Sequence, residues 1–133
     1  KEQSTEIFRD YRFAEIDEGK RLYEPKLERA ANVSPVYRFF NGLSAFYAFG
    51  EPFELGANGR VTMAEPLGDI QDAGAKIQPF KYHTALLPYD QSTDAIIPVK
   101  LGVLFQTGNP DSAIRQGAAD LRQAAPVEGA LGP

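Results

Sequence analysis

The apolar positions of this 133-residue chain change their rhythm several times, and each change predicts an element. Near the start, Tyr11 and Phe13 alternate with Arg12 and Ala14, followed by Asp17-Glu18-Gly19-Lys20 and a second short run, Arg21-Leu22-Tyr23, interrupted by Pro25. Acidic residues and a glycine between aromatic-containing runs predict a hairpin. A helix over Thr5–Ile16 competes, because Ile7, Tyr11 and Ala14 could form one stripe. Residues 37–53 are different in character. Tyr37, Phe39, Phe40, Phe46, Tyr47, Phe49 and Phe53 are seven of the fifteen aromatics, and Asn41-Gly42 and Gly50-Glu51-Pro52 punctuate them. That is too broken for a long helix and predicts two brief extended pieces around a turn, packed against something large and apolar. From Gly56 to Pro98, eight glycines and prolines leave room only for short strands such as Arg60–Met63 and Ala95–Val99. So long a stretch with little periodic structure is characteristic of segments wrapped around a partner or cofactor.

One helix is written clearly, over residues 110–123. Asn109 suits the N-cap, Pro110 the first helical position, and Asp111 the positive end of the dipole. Ile114, Ala118 and Leu121 then share a face, while Gly117 costs about 1 kcal/mol relative to Ala in an exposed helix. The expected fold is a mostly irregular α+β chain with few regular elements, short strands or hairpins and this one helix, shaped by a partner or cofactor. It reads as a single domain or subunit over 1–133, with a charged arm or hairpin at 1–30 and an extended tail at 124–133. Its beginning and end could equally be true termini or cut ends.

Composition narrows the chemistry. The first thirty residues hold 7 basic and 8 acidic side chains, a mixed pattern typical of a solvated face or arm. A formal net charge of -4 disfavours a dedicated nucleic-acid binder, which needs a basic face. No apolar stretch approaches the roughly 20 residues of a membrane span. Zero cysteines exclude disulfides, thiolate metal sites, cysteine nucleophiles and covalent thioether attachment of haem within this chain.

His83 is the only histidine, within Ile77-Gln78-Pro79-Phe80-Lys81-Tyr82-His83. A lone histidine is more often structural than catalytic, but an imidazole held among aromatics also suits axial ligation of haem iron. It cannot build a zinc site without carboxylates or another chain. Ser44 or Ser112 with His83 lacks a nucleophile-elbow signature. The carboxylate pairs Glu51 with Glu54, Asp69 with Asp72, and Asp90 with Asp94 have no apolar shield to raise a pKa for general acid work. Asp69 and Asp72 lie outside any EF-hand pattern, and Gly56-Ala57-Asn58-Gly59 is a turn without the helix and lysine of a phosphate cradle. No self-contained catalytic site emerges.

An ordered set of short motifs resembles one family. Val36-Tyr37-Arg38-Phe39-Phe40-Asn41-Gly42, Gly50-Glu51-Pro52, Pro66-Leu67-Gly68-Asp69-Ile70, the stretch Asp72 to His83, Leu87-Pro88-Tyr89-Asp90, Ile97-Pro98-Val99-Lys100-Leu101 and Ala113-Ile114-Arg115-Gln116-Gly117 together resemble periplasmic multihaem c-type cytochromes, in particular the octahaem, tetrathionate-reductase-like group. The cytochrome-like part covers residues 33–123, and corresponds there to a segment that lies between CxxCH motifs and wraps neighbouring haems. The resemblance implies an axial role for His83 at a haem iron, with Phe80 and Tyr82 beside the porphyrin and Lys81 as a lesser ligand candidate. It implies a component of an extracytoplasmic electron-transfer complex, periplasmic or extracellular, and leaves open membership of a multihaem oxidoreductase.

The departure is the absence of cysteine. Any haem c must come from a partner c-type cytochrome chain in a hetero-complex, or from missing parts of a longer polypeptide; a relative that lost the cofactor is the third option. The alternative function is a haem-free scaffolding or interaction subunit that uses its aromatic surface, with the mixed-charge arm adding rim contacts.

Overall fold

Two long strands begin the chain: β1 (Ser4–Asp17) and β2 (Leu22–Ala31) flank a turn at residues 18–21. Asp17 organises that turn by accepting the Lys20 backbone N–H at 3.1 Å, and Arg21 takes the left-handed conformation at φ 55°. Lys20 closes it from outside through ion pairs with Asp17 and Glu24. The hairpin expectation therefore holds, and the helical alternative over Thr5–Ile16 does not. The remaining elements are β3 (Val36–Phe40), β4 (Ser44–Phe46), β5 (Ala64–Pro66), β6 (Lys76–Phe80), β7 (His83–Leu86), β8 (Tyr89–Asp90), β9 (Ala95–Ile96), α1 (Leu101–Thr107) and α2 (Pro110–Ala124). This computed structural model describes residues 4–124; the expected tail at 124–133 falls, beyond Ala124, outside the described residues.

The strands form four small sheets: one of order β2-β1-β7, and the two-stranded pairs β3-β6, β4-β5 and β8-β9. The result is mixed α+β with short strands and long irregular connections, as the breaker-rich sequence implied. The chain forms two compact units, each drawn from separated stretches of sequence.

Residues 4–7, 29–48 and 54–83 make the first unit among the described residues. Here β3 pairs antiparallel with β6 and β4 with β5. The two extended pieces expected around Asn41-Gly42 are β3 and β4, and Gly42 supplies the turn with φ 92°. Asn41 stitches the unit together. Its side-chain oxygen accepts the Leu43 N–H at 2.9 Å, its side-chain nitrogen donates to Asp72 at 2.8 Å, and its backbone N–H donates to the Leu67 carbonyl at 2.8 Å. Asp69 and Asp72 each cap a backbone turn, through Gln71 and Gly74 respectively. The expected strand at Arg60–Met63 is displaced to Ala64–Pro66, because the pairing partner Ser44–Phe46 sets the register there.

Residues 8–28, 49–53 and 84–124 make the second unit among the described residues. It holds the apolar side chains that are buried among the described residues: Pro25, Ala95, Ile96, Leu104 and Ala113. The predicted cap of α2 is present, with the Asn109 side chain accepting the Ser112 N–H at 3.1 Å. Ahead of it stands a helix the sequence reading missed, α1, closed by Gly108 at φ 64°, whose N–H reaches the Leu104 carbonyl. Gly108 also passes so near Tyr23 that a Cβ there would lie 2.5 Å from the ring. On α2 the most buried positions are Ala113 and Gly117, one turn apart. A Cβ on Gly117 would lie 2.9 Å from the carbonyl carbon of Pro98 and nearer still to its oxygen. Lys100 completes the arrangement: its N–H donates to the Ala113 carbonyl at 3.1 Å and its ammonium pairs with Asp120.

Candidate functional site

The first unit builds its framework from hydrogen bonds and leaves many of its large apolar side chains exposed. None of its described residues is a fully buried apolar side chain, yet Tyr37, Leu43, Phe46, Leu55, Leu67, Ile70, Ile77 and Tyr82 are all exposed. Phe46 and Ile70 are 76% and 80% exposed. Scattered exposed apolar residues are ordinary; a unit that exposes eight large ones and buries none carries the kind of apolar surface that marks interaction sites. Its regular hydrogen bonds explain how it keeps a shape without a core, since β ladders and Asx turns satisfy the backbone locally.

The four residues singled out from the sequence cluster at the end of β6 and the start of β7. Phe80, the last residue of β6, is half-buried and meets Phe40 edge-on with ring centroids 5.7 Å apart. Lys81 and Tyr82 form the two-residue link between the strands, and both are exposed. His83 opens β7, and it too is exposed. Sequence proximity is thus translated into a short, solvent-facing segment that presents a cation, a phenol and an imidazole in succession.

The acidic groups are occupied with structural tasks. In the second unit Asp10 on β1 is buried and receives a two-pronged contact from the Arg12 guanidinium, at 2.9 and 2.7 Å. That hydrogen bonding outweighs desolvation and holds the Asp10 carboxyl below its ordinary value of 3.8. Asp90 is likewise lowered, first by the Ser92 hydroxyl and then by the Ser92 backbone N–H. Asp120 is lowered by the Lys100 ammonium and the Gln116 amide. General acid catalysis near neutrality needs a carboxyl shifted upward, so Asp90 and Asp120 are tuned the wrong way for it. No group of three or more His, Cys, Asp or Glu among the described residues is placed to hold a metal ion. A small pocket in the second unit, lined by Asp90, Thr93, Ala95, Ile97, Ala118, Leu121 and Arg122, has room for about one water beside the unpartnered Thr93 hydroxyl. It is far too small for an organic cofactor.

Residues 13–131 match the family described as "Cytochrome c bacterial". The chain belongs to that family. Among solved structures, its fold is similar to the octaheme cytochrome c from Shewanella oneidensis, with a TM-score of 0.62 and 24% sequence identity. The likeness covers 95% of this chain and 30% of that one. No curated protein matches. For a cytochrome c, the residues present divide cleanly. Thioether attachment does not fit a chain with no cysteine. Non-covalent packing against a haem does fit a unit with eight large apolar side chains exposed, and iron ligation fits an exposed imidazole.

No helix among the described residues is long and apolar enough to cross a membrane.

Proposed function

We propose that this chain is a component of an extracytoplasmic multihaem cytochrome electron-transfer complex, related to the octahaem, tetrathionate-reductase-like group. It packs around a haem c that is carried by a partner chain or by further parts of a longer polypeptide. One observation carries the reading: the first unit exposes eight large apolar side chains and buries none, in a chain of the bacterial cytochrome c family that has no cysteine of its own.

Within that role His83 would hold the haem iron through an imidazole nitrogen, and Phe80 and Tyr82 would pack beside the porphyrin. Lys81 is the lesser candidate for the same task. When bound, a haem c supplies one-electron chemistry; what this chain contributes is water exclusion, orientation and the ligand field. Apolar packing disfavours the more highly charged ferric state, so contact with this surface raises the reduction potential. Maturation of c-type haem places such an assembly in the periplasm or outside the cell.

The test is the visible spectrum of the protein purified natively with its partners attached, oxidised and then reduced. A Soret band with sharp c-type bands on reduction is expected, and His83→Ala is expected to change the spin state or potential of one haem while leaving assembly mostly intact. Optical and redox titrations that are unchanged in His83→Ala refute the ligand assignment. A flat spectrum favours instead a haem-free scaffolding subunit, for which the lack of cysteine is the supporting observation.

A further inference from the structure

The β3-β6 ladder has two unlike faces. Partners directly opposite in an antiparallel pair project to the same side, and neighbours along each strand alternate. The register sets Tyr37 against Pro79 and Phe39 against Ile77, so these four share one face. Arg38, Lys76 and Gln78 lie on the other, together with the Phe40 and Phe80 ring pair. The first face has no charged group. Tyr37 is 65% exposed and Ile77 is 61% exposed, and Pro79 is exposed beside them.

We infer that this face, Tyr37-Phe39-Ile77-Pro79, is the platform on which the flat of a c-type haem from another polypeptide segment rests, a different haem from the one beside Phe80 and His83. The inference rests on the proposed function and goes further by choosing the surface. Strands about 4.8 Å apart, with same-face side chains roughly 7 Å apart along each, give a flat apolar platform on the scale of one tetrapyrrole. Two aromatic rings, a branched aliphatic chain and a rigid pyrrolidine suit stacking on an extended π-system. The occupant follows from three facts. The chain belongs to the bacterial cytochrome c family, it has no cysteine to hold a haem itself, and it spans 30% of the octaheme chain whose fold it shares. The unit that carries this face also has no fully buried apolar residue of its own among the described residues, so its packing is completed from outside.

The experiment titrates the full chain with the haem undecapeptide cut from a cytochrome c, which carries a thioether-bound haem with one open axial position. Two signals are read. Quenching of tyrosine emission, available because the chain has six tyrosines and no tryptophan, reports docking, and the Soret and visible bands report ligation. The double variant Tyr37→Lys with Ile77→Lys is expected to weaken docking at least tenfold, and Gln78→Lys on the opposite face is expected to leave it within about twofold. His83→Ala is expected to keep docking while losing the shift to a low-spin spectrum. If the double variant changes the circular dichroism spectrum, the milder Tyr37→Ser and Ile77→Ser single variants replace it, each expected to weaken docking severalfold. Docking by the face variants at wild-type strength overturns the platform and leaves the His83 assignment standing. Face-dependent docking with no His83-dependent spectral shift overturns the ligand assignment and leaves the platform. No quenching with the wild-type chain overturns the inference.

Discussion

Replacing Gly117 by alanine reverses the sign expected of a helix glycine. In an exposed helix, Gly→Ala stabilises by about 0.5–1 kcal/mol, because alanine has less backbone entropy to lose. At residue 117 the added Cβ meets Pro98 backbone instead, 2.9 Å from its carbonyl carbon and 3.5 Å from the Lys100 nitrogen. Backbone cannot rotate aside as a flexible side chain can. Relief requires α2 and the 97–100 segment to separate, which strains the hydrogen bond from the Lys100 N–H to the Ala113 carbonyl and loosens the burial of Ala113. Overpacking of this kind costs about 1–3 kcal/mol, and a lost hydrogen bond about 1 kcal/mol, against a propensity gain of about 1 kcal/mol. The net expectation for Gly117→Ala is destabilisation by about 1–3 kcal/mol. Gly102 in α1 is the internal comparison: it is exposed, and a Cβ there meets nothing within 4 Å. Gly102→Ala is therefore expected to stabilise by about 0.5–1 kcal/mol. Urea unfolding followed by circular dichroism at constant pH reads both. A Gly117→Ala protein at least as stable as wild type refutes the close approach of Pro98 and α2.

Amide hydrogen exchange should be slowest in α1, α2 and β9, where Leu104, Ala113, Ala95 and Ile96 are buried, and faster across residues 54–75 of the first unit; equal protection in both regions contradicts the coreless description. Asp120 is lowered by its contact with Lys100, so its stabilisation is complete above the unfolded value of about 3.9 and is lost as pH falls through the lower folded value. Wild type and Asp120→Asn should accordingly converge in stability on acidification below pH about 4, and a difference between them that grows with acid contradicts that sign.

What the sequence made legible was local. Asn109-Pro110-Asp111 announces α2 because a cap, a fixed φ and a dipole interaction all operate within one turn. Asn41-Gly42 announces a turn for the same reason. Helix α1 escaped because Leu101, Val103, Leu104 and Phe105 form a nearly continuous apolar run, which does not distinguish strand from helix; Gly108, in the left-handed C-terminal position, was the available signal. Gly117 read as a weakness because only the approach of Pro98 explains it, and that approach is not local. His83 stood out as the one histidine, and aromatic density marked residues 37–53. The apolar face of β3-β6 was hidden, since Tyr37 joins Pro79 only through a register linking residues more than forty positions apart.

The interleaving of the two units bears on how such a chain can be inherited. Residues 8–28 and 49–53 of the second unit are threaded between the three stretches of the first, so the backbone passes from one unit to the other five times. A recombination breakpoint anywhere between residues 8 and 83 therefore leaves both units incomplete. Exchange between genes preserves this architecture only when the whole stretch travels together, and insertions are tolerated at loop tips more readily than separation of the units.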